Sequence, residues 1–532
     1  MSAFTGTGTL VRFVLRRDRV RLSVWILALV GTVAATIPAL DEMFATEAER
    51  QGRAALMESP TGVVFGGPGY GLADYTLGPM LVNELTMSLF IALAIMNILH
   101  VVRHTRAEEE SGRAELLRSS VLGSSAQTSS ALLTIALVDL IIGGLIFLSM
   151  IAYDLPVPDS LAYGLGLGLG GLAFAAVTAV CAQLAEHART ASGLAFLAIG
   201  VFFFVRVVGD MAEPGGTALS WFSPFSWTQQ ARPFDDLRWW PLALYAGFVL
   251  VVFVLAYVLA GRRDLGAGLL SARPGPAEAG RGLTGMFTLH LFQQRGAITT
   301  WTVAVFVFAL AFGSLATEVE GMVESNPDLA VMLGDDTDDL VAGFLGTMVT
   351  YVLMAAGAYG ALSVLRAWGE ENAGRAELVL STAVSRIRWF GTALFVATLS
   401  TLLITLVGGL GLGVGAATVL ESAGWIGRML EASLAQMPTA LVFGALVALL
   451  LGFLPRFLPL VWAWLGYSVL VTMFGVLVGV PDVMIDLSAF EILAQPPMED
   501  FEAASFLIYL AAVLAAGALS LAGFRHRDLV TA

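Results

Sequence analysis

The chain has 532 residues, of which 57% are apolar and 13% charged, with a net charge of −14 and a mean hydropathy of +0.81. Soluble domains carry about a quarter charged residues, so this composition excludes an ordinary soluble fold and makes lipid the expected solvent. All 28 basic residues are arginine and Cys181 is the single cysteine. That excludes a lysine phosphate loop, Schiff-base chemistry, an intrachain disulfide and a cysteine metal site.

A bilayer core about 30 Å thick takes about 20 apolar residues in a helix. In chain order, "LVRFVLRRDRVR" (10–21) mixes apolar residues with arginine and predicts an interfacial amphipathic helix. The run 22–40 follows it and is longer than a signal-peptide core, so it reads as a retained first span. Further spans are expected at 79–102, 129–153, 160–185, 192–209 and 240–261, then at 297–316, 341–365, 390–418, 434–454, 458–480 and 504–523. The fold class is therefore an all-α polytopic membrane protein of about 12 transmembrane helices. With the N-terminus in the cytoplasm, 22 arginines fall inside, five outside, and Arg206 within a span. Arginine retention on the inner side then places both termini in the cytoplasm. The outer loops 317–340 and 481–503 contain no basic residue. They attract cationic solutes or are simply solvated acidic faces. The five histidines show neither H-x-x-H nor H-E-x-x-H spacing, and no nucleic-acid partner is expected.

One charged segment occurs twice. "EEESGRAELLRSS" (108–120) and "EENAGRAELVLST" (370–382) align at an offset of 262, and each follows the second span of its half. "AGRRDL" (260–265) and "AGFRHRDL" (522–529) close the two halves, and "SPF" (223–225) matches "SAF" (488–490). The chain therefore reads as two parallel six-helix repeats, 1–265 and 286–532, joined by a Pro/Gly-rich linker 266–285. Parallel repeats place a pathway near the axis between them. "MFTLHLFQQRG" (286–296) is the weaker counterpart of the amphipathic segment. Within the charged segments, Glu109–Arg113 and Glu371–Arg375 are spaced as i,i+4 helix pairs. The segments read as helices docking on another protein or as solvated loop helices; retention in both halves favours docking.

The acidic residues, glycine and "AELL" or "AELV" before the third span resemble the cytoplasmic segment of ABC-2-type transporter permeases. The duplicated 12-span plan is similar to actinobacterial exporters linked to polyketide antibiotic (tetronasin) resistance and multidrug efflux. The resemblance implies a plasma-membrane permease that exports amphipathic or hydrophobic compounds. It also implies an ATPase-coupling role for Glu108, Glu109, Glu110, Gly112, Arg113, Glu115 and Leu116, and for Glu370, Glu371, Gly374, Arg375, Glu377 and Leu378. A separate ABC ATPase, two copies per chain, would hold ATP and magnesium, and this chain would bind no cofactor and have no ATPase activity of its own. Arg113 and Arg375 depart from the threonine common at that position in the family.

Three intramembrane charges, Glu84, Asp139 and Arg206, are candidates for the substrate pathway. They pair with one another or contact a cationic compound; otherwise Glu84 and Arg206 snorkel and Asp139 is a hydrogen-bonded carboxyl. At the repeat offset Glu84 maps to Gly346 and Asp139 to Thr401, so neither charge is duplicated. The Gly runs 164–171 and 408–415 allow close helix packing. The aromatic cluster 220–227 forms an interfacial belt, a re-entrant segment or a stacking site. The competing architecture is a proton-coupled carrier of the major facilitator type, faintly suggested by "GLADYTLG" (71–78). A membrane enzyme lacks a supporting residue cluster, and a non-transporting assembly protein is the remaining alternative.

Overall fold

The computed structural model describes all residues except 1, 59, 120–121, 265, 271–277, 281, 318–336, 479–480, 498, 500 and 529–532. Most of the acidic loop 317–340 and much of the linker 266–285 thus lie outside the described residues. Apolar helices satisfy their own backbone polar groups, which is what lipid demands. Twelve described helices are long and apolar enough to cross a membrane, and no strand occurs among the described residues. The chain divides into two compact units, Met1–Gly275 and Pro276–Ala532.

In the first unit the spans are Arg19–Met43, Leu77–Glu110, Ala126–Ile151, Val157–Leu184, Ala188–Ala212 and Trp240–Ala260. The fourth span is central and packs against the second, third, fifth and sixth. Leu27, Leu197, Phe204, Leu250 and Val251, on the first, fifth and sixth spans, are exposed, as a lipid-facing shell requires. The amphipathic helix is present as Thr7–Arg17, burying Leu10 and Val14 one turn apart. Asp18 ends it with a non-helical backbone before the first span starts.

The second unit contains Met286–Gly313, Val341–Asn372, Arg386–Val419, Gly424–Phe453, Pro455–Met473 and Ala503–His526. Its expected separate amphipathic segment is absent. Residues 286–296 run straight into the seventh span as one helix, Met286–Gly313. Met286, His290, Gln294 and Ile298 form one buried stripe at a spacing of four, so the same face continues without a break. The first residues of the expected linker are bonded to the first unit. Leu269 and Leu270 donate backbone hydrogen bonds to Gln183 and Leu184, which holds this stretch on the first unit.

The glycine runs bring backbones together. A Cβ on Gly164 would strike the Gly143 carbonyl oxygen of the third span, and one on Gly143 would strike that of Gly164. In the second unit a Cβ on Gly411 would sit 2.8 Å from the Phe306 carbonyl oxygen of the seventh span. The aromatic cluster 220–227 is split: Phe225 and Trp227 pack inward, whereas Phe222 is exposed and Trp221 stacks on the exposed Trp240. Phe225 is buried against Phe90, Phe174 and Phe203. Phe490, of the matching "SAF", is buried against Phe443.

Gly164→Val should cost about 1–3 kcal/mol through overpacking, read as a lower thermal midpoint of the purified protein in detergent. Gly144→Val, where a Cβ meets nothing within 4 Å, should leave that midpoint unchanged.

Candidate functional site: two exposed segments clamped at the span ends

Each second span ends at a glycine hinge. In the first unit Leu77–His104 is followed by Arg106–Glu110 and then by the short helix Arg113–Arg118. In the second unit the helix Thr337–Asn372 is followed by Arg375–Leu380. Between them Gly112 and Gly374 adopt φ of 72° and 70°. This left-handed conformation penalises any residue with a Cβ. It ends one helix and lets another start in a new direction.

The hinge changes the expected ion pairs. The i,i+4 pairs Glu109–Arg113 and Glu371–Arg375 do not form, because no single helix spans the glycine. Arg113 donates to Glu108 at 2.9 Å, and Arg375 donates to both oxygens of Glu370 at 2.7 and 3.0 Å. The hydrogen bond and charge of Glu370 hold the Arg375 guanidinium above its ordinary range. Glu108 also accepts from Arg17 at 2.7 Å, which ties the end of the amphipathic helix to this segment.

Glu109 and Glu371 turn inward. Glu109 accepts from Arg263 Nη1 and Nη2 at 2.8 and 2.7 Å, and from Arg106 Nη1 at 3.0 Å. Glu371 accepts from Arg527 on both oxygens, with Nη1 at 2.8 Å. Arg263 and Arg527 are the arginines of the two "RDL" landmarks that follow the last span of each half. All four side chains are buried or nearly so. Planar guanidinium meeting carboxylate through two parallel bonds is the strong, orienting form of this contact. In the first unit Arg106 also donates to the Ala182 and Ala267 carbonyls, and Arg263 to Gln183. Glu110 accepts from the Ala188 backbone N–H at 3.0 Å, at the N-terminus of the fifth span, where a negative charge is favoured.

Beyond each hinge the first four residues of the two segments are identical. Ala114 and Ala376 are buried, whereas Glu115 and Glu377 are exposed. Leu116 is 74% exposed and Leu378 73%, although both are large apolar residues. The same unpartnered leucine therefore stands at the same place on both segments.

The three intramembrane charges do not come together. Glu84 is paired with Arg53, which donates from Nε and Nη2 at 2.9 and 3.1 Å. Burial works against the Arg53 charge, but the Glu84 hydrogen bond and charge outweigh it and raise the guanidinium above its ordinary range. Arg206 is fully buried and does not snorkel. It donates to Asp210 at 2.7 Å and to the Val64 and Val63 carbonyls at 2.6 and 2.7 Å. Asp210 also accepts from Ser220 at 2.5 Å. The fifth helix runs on to Ala212, so Asp210 lies one turn from Arg206 and neutralises it. Asp139 accepts only from Asn97, at 3.1 Å, and its Oδ2 has no hydrogen-bond partner among the described residues. Its pairing with Arg206 is therefore ruled out, as is that of Glu84.

Each unit also holds a cavity. A polar one of about 680 Å³ in the first unit is lined by Tyr70, Asp210, Glu213 and Arg232. An apolar one of about 470 Å³ in the second unit is lined by Gly360, Leu394, Phe395, Thr401 and Val513. Thr401 is the repeat position of Asp139.

Removing one member of a buried ion pair typically costs about 3–5 kcal/mol. Arg527→Ala should therefore loosen the second segment, read as faster hydrogen exchange over 370–380. Exchange over 108–118 should not change.

The comparisons agree with this architecture. Residues 70–262 match the family described as "ABC-2 family transporter protein". Residues 283–525 match the family described as "Multidrug efflux system permease Rv1217c, C-terminal domain". The chain is 35% identical to the multidrug efflux system permease protein Rv1217c of Mycobacterium tuberculosis, over 99% of this chain and 96% of that protein. A match that runs through both units, on a scaffold of twelve apolar helices, places the chain in the ABC-2 family of transporter permeases.

Proposed function

We propose that this chain is the membrane subunit of an ATP-driven exporter for amphipathic or hydrophobic compounds, and that its two exposed segments each dock one copy of a separate ABC ATPase. One observation carries the docking assignment: Leu116 and Leu378 are exposed at equivalent positions, each on a segment fixed by buried ion pairs. An exposed leucine on a mobile loop would be unremarkable. The same leucine twice, each on a firmly held platform, suits a groove on a partner. Glu115 and Glu377 beside them provide a charged rim. Glu109 and Glu371 serve the coupling from the base of each segment, as partners of Arg263 and Arg527. They hold the segments to the ends of the last spans, so a movement of a docked partner reaches the membrane helices.

ATP and magnesium would be bound by that partner, since a chain with no lysine has no P-loop lysine to offer. Export of drug-like compounds rests on the relative's description as a multidrug efflux permease and on the apolar character of the spans. The arginine distribution supports a plasma-membrane orientation with both segments and both termini in the cytoplasm.

The double substitution Leu116→Asp with Leu378→Asp should lower efflux by about tenfold or more, the scale of losing a central apolar anchor at each interface. Membrane insertion and thermal midpoint should be retained, because neither side chain is buried. Efflux at the unsubstituted level, measured in cells of equal expression, would rule out docking through these leucines. Efflux that persists without ATP and stops with a protonophore would favour the secondary-carrier reading.

A further inference from the structure

The buried cluster at the start of the first span lies outside the contacts assigned above. His100 and His104 stand one turn apart on the second span, in the sequence "HVVRH". This is the i,i+4 spacing with which two histidines on one helix face share a zinc ion. Asp18, at the junction between the amphipathic helix and the first span, faces them. Each of the three offers one ligand atom, and those atoms lie within 4.8 Å of one another. All three residues are buried: Asp18 is 4% exposed, His100 4% and His104 4%.

The hydrogen bonding of the cluster is incomplete. His104 Nε2 and Asp18 Oδ2 are 2.6 Å apart. Neither ring nitrogen of His100 has a hydrogen-bond partner among the described residues. The Ala131 backbone is near the ring but outside hydrogen-bond geometry. Buried polar groups are hydrogen-bonded in the great majority of cases, so an imidazole with two bare nitrogens needs a reason. The two imidazole centroids are 4.6 Å apart, with the ring planes tilted by 44°. The other Asp18 oxygen faces Arg103 at 3.5 Å. That contact orients the carboxylate and leaves Oδ2 for the cluster.

We infer that Asp18, His100 and His104 form a binding site for a divalent transition-metal ion of the zinc class. Two imidazoles and one carboxylate form a recognised zinc donor set, with a fourth position left for water. Tetrahedral bonds of about 2.0–2.2 Å require ligand atoms roughly 3.3 Å apart. The ion would therefore replace the proton shared by His104 and Asp18 and open that pair by under about 1 Å. It would also satisfy the bare His100 nitrogen. The Arg103 guanidinium, about a third exposed to solvent, is the cation that works against the ion's charge. The charge of Arg17 also acts on His104, and Arg17 is paired with Glu108 at 2.7 Å.

A bound ion would join the first span to the second just before the segment that carries Leu116. The second unit has no equivalent, because Leu362 and Arg366 stand at the repeat positions of His100 and His104. The site is therefore a property of the first unit alone. It does not depend on the docking assignment.

The test uses the full chain in detergent, stripped with chelator and then titrated with Zn²⁺ and with Co²⁺. One ion per chain should bind, and the Co²⁺ form should show the visible absorption of a low-coordinate nitrogen–oxygen site. His100→Gln and Asp18→Asn should each weaken binding by tenfold or more, whereas His526→Gln should not. Should either variant fail to fold, zinc-edge X-ray absorption on the unsubstituted protein decides the matter. Two imidazoles per zinc support the site. No saturable binding, binding unchanged in His100→Gln, or fewer than two imidazoles per zinc would overturn it.

Discussion

In each half a carboxylate at the end of the second span holds an arginine that lies just beyond the last span: Glu109 with Arg263, and Glu371 with Arg527. These contacts connect residues about 155 positions apart in sequence, close to the length of a half-chain between its second and sixth spans. They are buried, bidentate and duplicated. Everything beyond the glycine hinge takes its position from them. A short helix of six residues has no independent stability in water. It can present a fixed surface only if its base is anchored, and the clamps are that anchor.

The same economy of charge runs through the membrane-spanning part. Arg206 has Asp210 and two backbone carbonyls, and Glu84 has Arg53. Each pair is complete within one unit, and both belong to the scaffold of the first unit. Asp139 differs, being fully buried with Asn97 as its hydrogen-bond partner. Its repeat position, Thr401, lines an apolar cavity instead. The two halves have kept the device that presents the exposed segments and diverged at this interior position.

The spans were legible because hydropathy over twenty residues is a strong signal. The duplicated segment was legible as a repeat, and its exposed leucines could be found at the matched positions. The partners of its acids were not. Sequence spacing predicts neighbours only while one helix continues, and the left-handed glycines at 112 and 374 break that continuity. The missing clue lay in the second landmark, because "RDL" at the end of each half supplies the clamping arginines. Asp210 was readable too, as the i+4 neighbour of Arg206, once the helix was allowed one more turn. His100 and His104 share the spacing of a zinc-binding helix without its glutamate, so a search keyed to H-E-x-x-H passed over them. Asp18, separated from them by over eighty residues, could be placed beside them only by the fold.

The proposed function requires the duplicated segments to be two docking points on one chain. The most direct measurement is native mass spectrometry of the complex released from its own membrane in mild detergent. Docking at both segments predicts one 56.1 kDa chain with two copies of an ATPase subunit, and loss of both copies in the double leucine variant. A complex holding a single ATPase, or a chain that transports while bound to none, would contradict it.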